Sequence, residues 1–400
     1  MPSIRDLVVA LIVSSLFFLF IRILEVKRFD LKLVILSGVL LISGLTLTQG
    51  IEVGFYAPVA GDAQTGVLFP YSLDGQEYYH DSLTITDPLD FLGHYNQIQP
   101  TLHRHAHTHP PGAVLTLYFL QKLLRDPAVI ALVIMLLATT STVYFFYRLL
   151  LTAIDGETAG YMAFLFVLLP AVQIYYLATI DALIAGLLTG TLYFFCFGAG
   201  RKSVAGAIVL LSASFLLTFV SLFILPVLVG FDLIVKRSLK RSVLVVGAVA
   251  AFHVLLYLVT GYNAVQSIRT ASLFENPHGF MLFVDPANYF FTRIEDVSEI
   301  MFFFGPFALI LFFRGLKDFR QRPLIVLTGL ACTTILTMFV TGAFRTGETA
   351  RACLFLYPYL LFPVAYYLKE SDWGVAQRLQ LASLIFVQAV GMQVFGNYLW

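Results

Sequence analysis

The polar chemistry of this 400-residue chain is concentrated in residues 51–111. That stretch carries Asp62, Asp74, Glu77, Asp81, Asp87 and Asp90. It also holds six of the chain's eight histidines: His80, His94, His103, His105, His107 and His109. A half-buried carboxylate can take a proton from a sugar hydroxyl as that hydroxyl attacks an activated carbon. Burial raises its pKa toward neutrality, which suits a base. Each acid also has a plainer reading, as a helix cap or a solvated charge. The run His103-x-His105-x-His107-x-His109 has two readings as well. In an extended segment alternate residues share a face, and four imidazoles there could ligate zinc or iron. A two-residue repeat spreads them by about 6.5 Å. The run therefore reads first as a polar wall of hydrogen-bonding and phosphate-contacting groups. No cofactor is required by this chemistry, and a divalent metal is allowed but not favoured.

Charges beyond this stretch add to the set. Asp181 begins an apolar run, either as a functional acid or as a first-turn charge that suits a helix N-terminus. Arg345 and Arg351 flank Glu348 in a short polar segment. The two arginines suit a phosphate, as charge-assisted donors. The plainer alternative is a Glu–Arg pair within the loop, worth little at a surface. His253 and His278 read as structural. Arg269, Glu275, Asp285, Arg293 and Glu295 mark residues 261–299 as a second loop and candidate lid, without a motif.

The elements that position these groups are membrane helices. The chain is 59% hydrophobic and 12% charged, about half the charge share of a soluble domain. Apolar runs cover 7–24, 32–50, 112–124, 127–150, 158–178, 181–199, 203–218, 219–235, 242–260, 300–314, 323–342, 352–368 and 380–399. They predict an all-α polytopic membrane protein of about 10–13 membrane helices, some broken or re-entrant. The 400 residues read as a single transmembrane domain with 51–111 as its outer catalytic loop. The first run reads as a retained helix rather than a cleaved leader. Cys196, Cys332 and Cys353 show neither metal spacing nor a disulfide framework. A net charge of +1 leaves no nucleic-acid footprint.

Basic clusters set the expected orientation. Lys27/Arg28/Lys32, Lys122/Arg125, Arg201/Lys202, Lys236/Arg237/Lys240/Arg241, Arg314/Lys317/Arg320/Arg322 and Lys369/Arg378 are placed in the cytoplasm. Loops 51–111, 261–299 and 343–351 then face the other side. On that scheme 158–180 starts and ends outside, which predicts a half-inserted helix pair broken at Pro170. Short juxtamembrane helices are expected in 51–111, separated at Asp87-Pro88 and Pro100. The Pro110-Pro111-Gly112 turn is expected to re-aim the chain into the bilayer.

Three motifs then gain meaning together: Asp74-Gly75-Gln76-Glu77-Tyr78-Tyr79-His80-Asp81, Asp90-Phe91-Leu92-Gly93-His94-Tyr95 and Thr108-His109-Pro110-Pro111-Gly112. With Pro170, Thr179-Ile180-Asp181 and Gly347-Glu348-Thr349-Ala350-Arg351, they resemble the glycosyltransferase C superfamily. Its members include the protein mannosyltransferases and aminoarabinose transferases. The resemblance implies an inverting transfer of a sugar from a polyprenyl-phosphate-linked donor to a glycan, lipid or protein acceptor. The reaction would lie on the outer side of a prokaryotic plasma membrane. It implies a loop carboxylate as general base: Asp74 first, with Asp62 and Glu77 as rivals. Arg351 would neutralise the departing phosphate, helped by Arg345 and His109. His107, Glu348, Asp81, Asp181 and Tyr78 complete the implied substrate-binding set.

Two departures matter. An extra helix precedes the expected first span, and two residues separate Asp74 from Glu77. No further soluble domain is evident in the chain, so loops alone are expected to hold the acceptor. A transporter or flippase of a lipid-linked substrate shares the broken helices. It is opposed by the lack of inverted repeats and by polar groups gathered in one loop. A His-rich metalloenzyme would need converging ligands.

Overall fold

The protein is described by a computed structural model covering residues 4–46, 68–71, 75, 77–316, 322–342, 348–371 and 373–396, without the side chains of Arg5 and Phe69. Asp62, Asp74 and Arg345 lie outside the described residues. All regular structure among those residues is helical. The first half comprises α1 Ile4–Val26, α2 Leu31–Thr46, α3 Tyr79–Thr84, α4 Pro88–Ile98, α5 Arg104–His107, α6 Gly112–Leu124, α7 Pro127–Leu150, α8 Gly156–Leu168, α9 Pro170–Tyr175, α10 Ile180–Cys196 and α11 Gly200–Leu217. The second comprises α12 Ile224–Phe231, α13 Lys240–Thr260, α14 Ala264–Glu275, α15 Met281–Val284, α16 Pro286–Phe304, α17 Pro306–Gly315, α18 Pro323–Val340, α19 Thr349–Ala352, α20 Tyr357–Glu370 and α21 Val375–Phe395.

Among the described residues seven helices are long and apolar enough to cross a membrane. The pair α16–α17, bent by 97° at Gly305, is an eighth candidate, and α2, α6, α8 and α10 are shorter apolar helices. The chain is thus an integral, multi-pass, all-α membrane protein. Helices are what the composition dictates, because lipid offers the backbone no hydrogen-bond partner. Leucines and valines of α13 such as Leu244, Val254, Leu255 and Leu258 are exposed, as a lipid-facing surface requires.

Glycines set how closely the helices approach. A Cβ on Gly160 of α8 would stand 2.2 Å from the Phe29 carbonyl oxygen, and one on Gly44 of α2 would stand 2.8 Å from Val13 of α1. Gly186 lies against Ser141, Gly190 against Phe145, and Arg148 donates to the Tyr193 hydroxyl at 2.7 Å. This steady register makes α7 and α10 parallel. Ser43 near the end of α2 meets Met135 in the first half of α7 at 3.5 Å. Past the other end of α7, the Ala153 carbonyl accepts from Lys369 at 2.7 Å.

These contacts correct two expectations. α6 does not cross: its 13 residues reach about 20 Å, short of the ~30 Å of a hydrocarbon core. It packs along α3 at the end where the 77–111 loop lies, so Lys122 and Arg125 sit at that loop end and not with the other basic clusters. With α6 removed from the count of crossings, residues 158–180 no longer have to return to their starting side. Glu157, in the first turn of α8, binds Arg378 at 2.9 Å, and Arg378 binds Glu25 at 3.0 Å, all at the basic end. α8 and α9 then run as one crossing, broken at Leu169–Pro170, toward Asp181 at the loop end. Pro170 breaks the ladder because it has no N–H. Gln173 repairs the break by donating to the freed Val167 carbonyl at 2.6 Å.

At the loop end the two polar loops are knit together. Asp87 caps α4 through the Leu89 N–H at 2.8 Å, with Pro88 at the first helical position, where a missing N–H costs nothing. Asn96 exchanges hydrogen bonds with Asn263 at 2.9 and 2.7 Å, and Gln99 donates to the carbonyls of His107 and Ser267. The Tyr95 hydroxyl reaches the carbonyls of His109 and Ala106. The 261–299 segment therefore packs on the first loop through α14 and, further on, supplies α15 and α16.

Candidate active site

Four segments distant in sequence converge on Arg351. The first is Glu77-Tyr78, immediately ahead of α3. The second is the α5 region, with His105 and His109. The third is the start of α10: Thr179 caps it, accepting from the Ala182 N–H and donating to the Tyr175 carbonyl at 2.6 Å. That cap holds Asp181 in the first turn. The fourth is α19, entered through Glu348 with a left-handed φ of 61° and carrying Arg351 in its single turn.

Arg351 Nη1 lies 2.8 Å from Glu77 Oε1, Nη2 binds Glu348, and Nε lies 3.6 Å from Asp181 Oδ2. His105 Nε2 approaches Glu77 Oε1 at 3.8 Å. His109 holds the His105 carbonyl through Nδ1 at 2.8 Å, and its ring meets Tyr78 edge-on at 5.4 Å. Arg351 is 5% exposed and Glu77 7%. A cleft beside them is bounded by Tyr71, Tyr78, Leu117, Ala178, Asp181 and Arg351. Its volume, about 10 Å³, is roughly what one water molecule needs. Ala178 has a φ of 70°. Two non-glycine residues in the left-handed region thus flank one centre, a form of strain that collects at functional sites.

Charge is unbalanced here. Three carboxylates surround one guanidinium, and the neighbouring imidazoles do not compensate. Burial, with Arg351 nearby, pushes His105 down to about 2, and burial pushes His109 down to about 4, so both are neutral near pH 7. Burial pushes the Glu77 carboxyl up to about 8 against the pull of Arg351, and Asp181 and Glu348 add to the rise. The same carboxylates hold Arg351 firmly protonated. At neutral pH the centre therefore keeps a proton on or near Glu77. Such a group can exchange that proton with a substrate, while Arg351 can face an anion.

Of the residues expected from sequence, Glu77, Tyr78, His109, Asp181, Glu348 and Arg351 come together. Asp81 does not join them. It accepts from the His103 backbone N–H at 3.1 Å and pairs with the His103 ring at 2.8 Å, anchoring the start of α5. His107 also points elsewhere, stacked on Phe274 at 4.0 Å. The histidine run is not extended: residues 104–107 form a helical turn, so its rings diverge toward Asp81, Glu77, Phe274 and Tyr78. Among the described residues no three His, Cys, Asp or Glu side chains gather as metal ligands.

Sequence reading missed Thr349, Asp296 and Glu299. Thr349 donates its hydroxyl to Asp296 at 2.7 Å and its N–H to Glu299 at 3.0 Å. The available signal was a pair of acids three residues apart ahead of the Phe302-Phe303-Phe304 run, one helical turn on a single face. No protein-family model matches the chain, and no curated protein emerges as its relative.

Proposed function

We propose that this chain is a membrane glycosyltransferase that moves a sugar from a polyprenyl-phosphate-linked donor to a hydroxyl acceptor at the loop end. We take that end as the outer face of a prokaryotic plasma membrane. The carrying observation is the buried Arg351 centre, where one guanidinium meets Glu77 and Asp181 at the edge of a helical membrane domain. The donor's lipid chain lies among the spans and its phosphate comes up to Arg351. The acceptor oxygen attacks the anomeric carbon from the far side, and the carbon–oxygen bond to phosphate breaks with inversion. The hydroxyl proton passes to a carboxylate, and the bond's electron pair leaves on polyprenyl phosphate. Arg351 offsets the charge that develops there, the larger part of catalysis in such transfers.

Within the described residues Glu77 is the general base this reading favours, with Asp181 beside it. Asp62 and Asp74 remain part of the proposal from the first loop. Glu77 acts in its ionised form, and the Arg351 guanidinium between it and Asp181 offsets the repulsion between these acids and the donor phosphate. No metal is needed by the scheme, and a glycan, lipid or protein acceptor would serve it equally.

The test uses purified protein in liposomes with a radiolabelled lipid-linked sugar. Release of free polyprenyl phosphate is expected, falling at least about a hundredfold in Arg351→Ala and Glu77→Gln. Full activity in Glu77→Gln, Asp62→Asn and Asp74→Asn alike would remove the loop carboxylate from the mechanism. Passage of the intact lipid-linked sugar across the bilayer, without cleavage, would instead favour a transporter.

A further inference from the structure

The helix α16 belongs to the 261–299 segment, which carries no sequence motif, yet it grips the chain on both sides of the link that leads to Arg351. On the near side, Arg293 donates to the Phe339 carbonyl at 2.6 Å and the Tyr289 hydroxyl donates to Val340, both at the end of α18. On the far side, Asp296 accepts the Thr349 hydroxyl at 2.7 Å and Glu299 accepts the Thr349 N–H at 3.0 Å. Arg293 also binds Asp296 at 3.1 Å, which joins the two grips into one network. Asp296 has no solvent exposure, so its bonds are not exchanged for water.

α19 is a single turn whose entry residue Glu348 holds a left-handed backbone. Four residues cannot hold a helical conformation on their own, because nucleation is costly. Something outside must fix the turn, and Thr349 is where that contact falls. Arg351 follows two residues later, its guanidinium spread over Glu77, Glu348 and Asp181.

We propose that α16 is the positioning element of the Arg351 centre, with Asp296 and Glu299 acting through Thr349 to set where the guanidinium points. None of the three touches the substrate on this reading; they are positioning residues. The inference rests on the proposed transferase for its kinetic consequence and on the geometry alone for its structural one. A small displacement of a catalytic group can cost up to about a hundredfold in rate. The loss should therefore fall mainly on kcat, because the charge Arg351 offsets grows during bond breaking, with a smaller rise in KM because the bound donor's phosphate already meets Arg351.

The experiment compares wild type, Thr349→Val, Thr349→Ser and Asp296→Asn in liposomes, by two readouts. The first is modification of Arg351 by phenylglyoxal, followed by peptide mass spectrometry. The second is polyprenyl phosphate release with kcat and KM resolved. Thr349→Val and Asp296→Asn should speed Arg351 modification roughly tenfold and lower kcat by roughly tenfold to a hundredfold. Thr349→Ser restores the hydroxyl and should match wild type in both. Wild-type modification and kcat in Thr349→Val and Asp296→Asn would overturn the positioning role while leaving the transferase standing. Faster modification in those variants, with no release even by wild type, would uphold the positioning role and overturn the transferase.

Discussion

At the residue scale the centre is defined by competition for one guanidinium. Removing Arg351 leaves the buried Glu77 and the largely buried Asp181 facing each other without a cation, with the exposed Glu348 beside them. Breaking a buried pair from one side costs about 3–5 kcal/mol. Arg351→Ala should therefore lower the unfolding temperature in detergent as well as abolish transfer, and an unchanged melting curve would contradict the buried network. Arg351→Lys should rescue little, since an ammonium cannot span three carboxylates as a fork does. Glu77 carries a separate pH signature. Its carboxyl is raised from an ordinary 4.5 to about 8 by burial, so the folded protein keeps a proton that the unfolded chain gives up in that interval. Stability then falls as pH rises across the window and levels above it. Glu77→Gln should flatten this slope, read as melting temperatures at about pH 5 and about pH 9; equal slopes in both proteins would refute it. The same proton sets the rate: transfer that uses Glu77 as base should rise with pH toward about 8, because only the ionised form accepts a proton.

At the element scale the positions of α6 and α8–α9 decide how the site is delivered. Gly112 opens α6 directly against the end of α11, where an added Cβ would stand 2.3 Å from the Leu216 carbonyl oxygen. The contact is backbone, so it cannot yield by turning a side chain. Gly112→Ala should cost about 1–3 kcal/mol through overpacking, measurable as a lowered unfolding temperature, whereas alanine at Gly247, which meets open space within α13, should not lower it. A melting temperature unchanged at position 112 would mean that α6 does not seat there. The α8–α9 break is held by Gln173, which is fully buried and replaces a backbone donor. That repair is why a proline can sit inside a membrane crossing and still hand the chain on to Asp181.

At the scale of the whole molecule the described residues of the basic clusters and of the loops occupy opposite ends, apart from Lys122 and Arg125. Lys122 and Arg125 lie with the loops, since α7 starts at the loop end and runs parallel to α10. Single cysteines introduced as Arg125→Cys, His94→Cys and Lys27→Cys give a direct check in sealed vesicles. A membrane-impermeant maleimide should label positions 125 and 94 from the same face and position 27 only from the other. Labelling of 125 together with 27 would restore α6 as a crossing. The native cysteines interfere little, because Cys196 and Cys353 are buried and Cys332 is partly so.

The sequence by itself determined that this is a helical, multi-pass membrane protein whose polar groups gather in loops. Hydrophobic runs and charge spacing are local properties, and lipid leaves the backbone few alternatives to helix. Asp87-Pro88, Pro100 and Pro170 were legible as breaks for the same local reason. The partners of those polar groups were not legible. Whether a 13-residue apolar run crosses depends on the neighbours it packs against, and α6 is settled by α3, α7 and the close approach at Gly112. The spacing of the four histidines suggested a shared face, but one helical turn scattered them. Glu77 and Arg351 lie 274 positions apart, and no local pattern links a loop glutamate to an arginine that far along the chain. Only packing decides that they meet. The same holds for α16, whose Asp296 and Glu299 become meaningful when the chain folds back to put Thr349 within their reach.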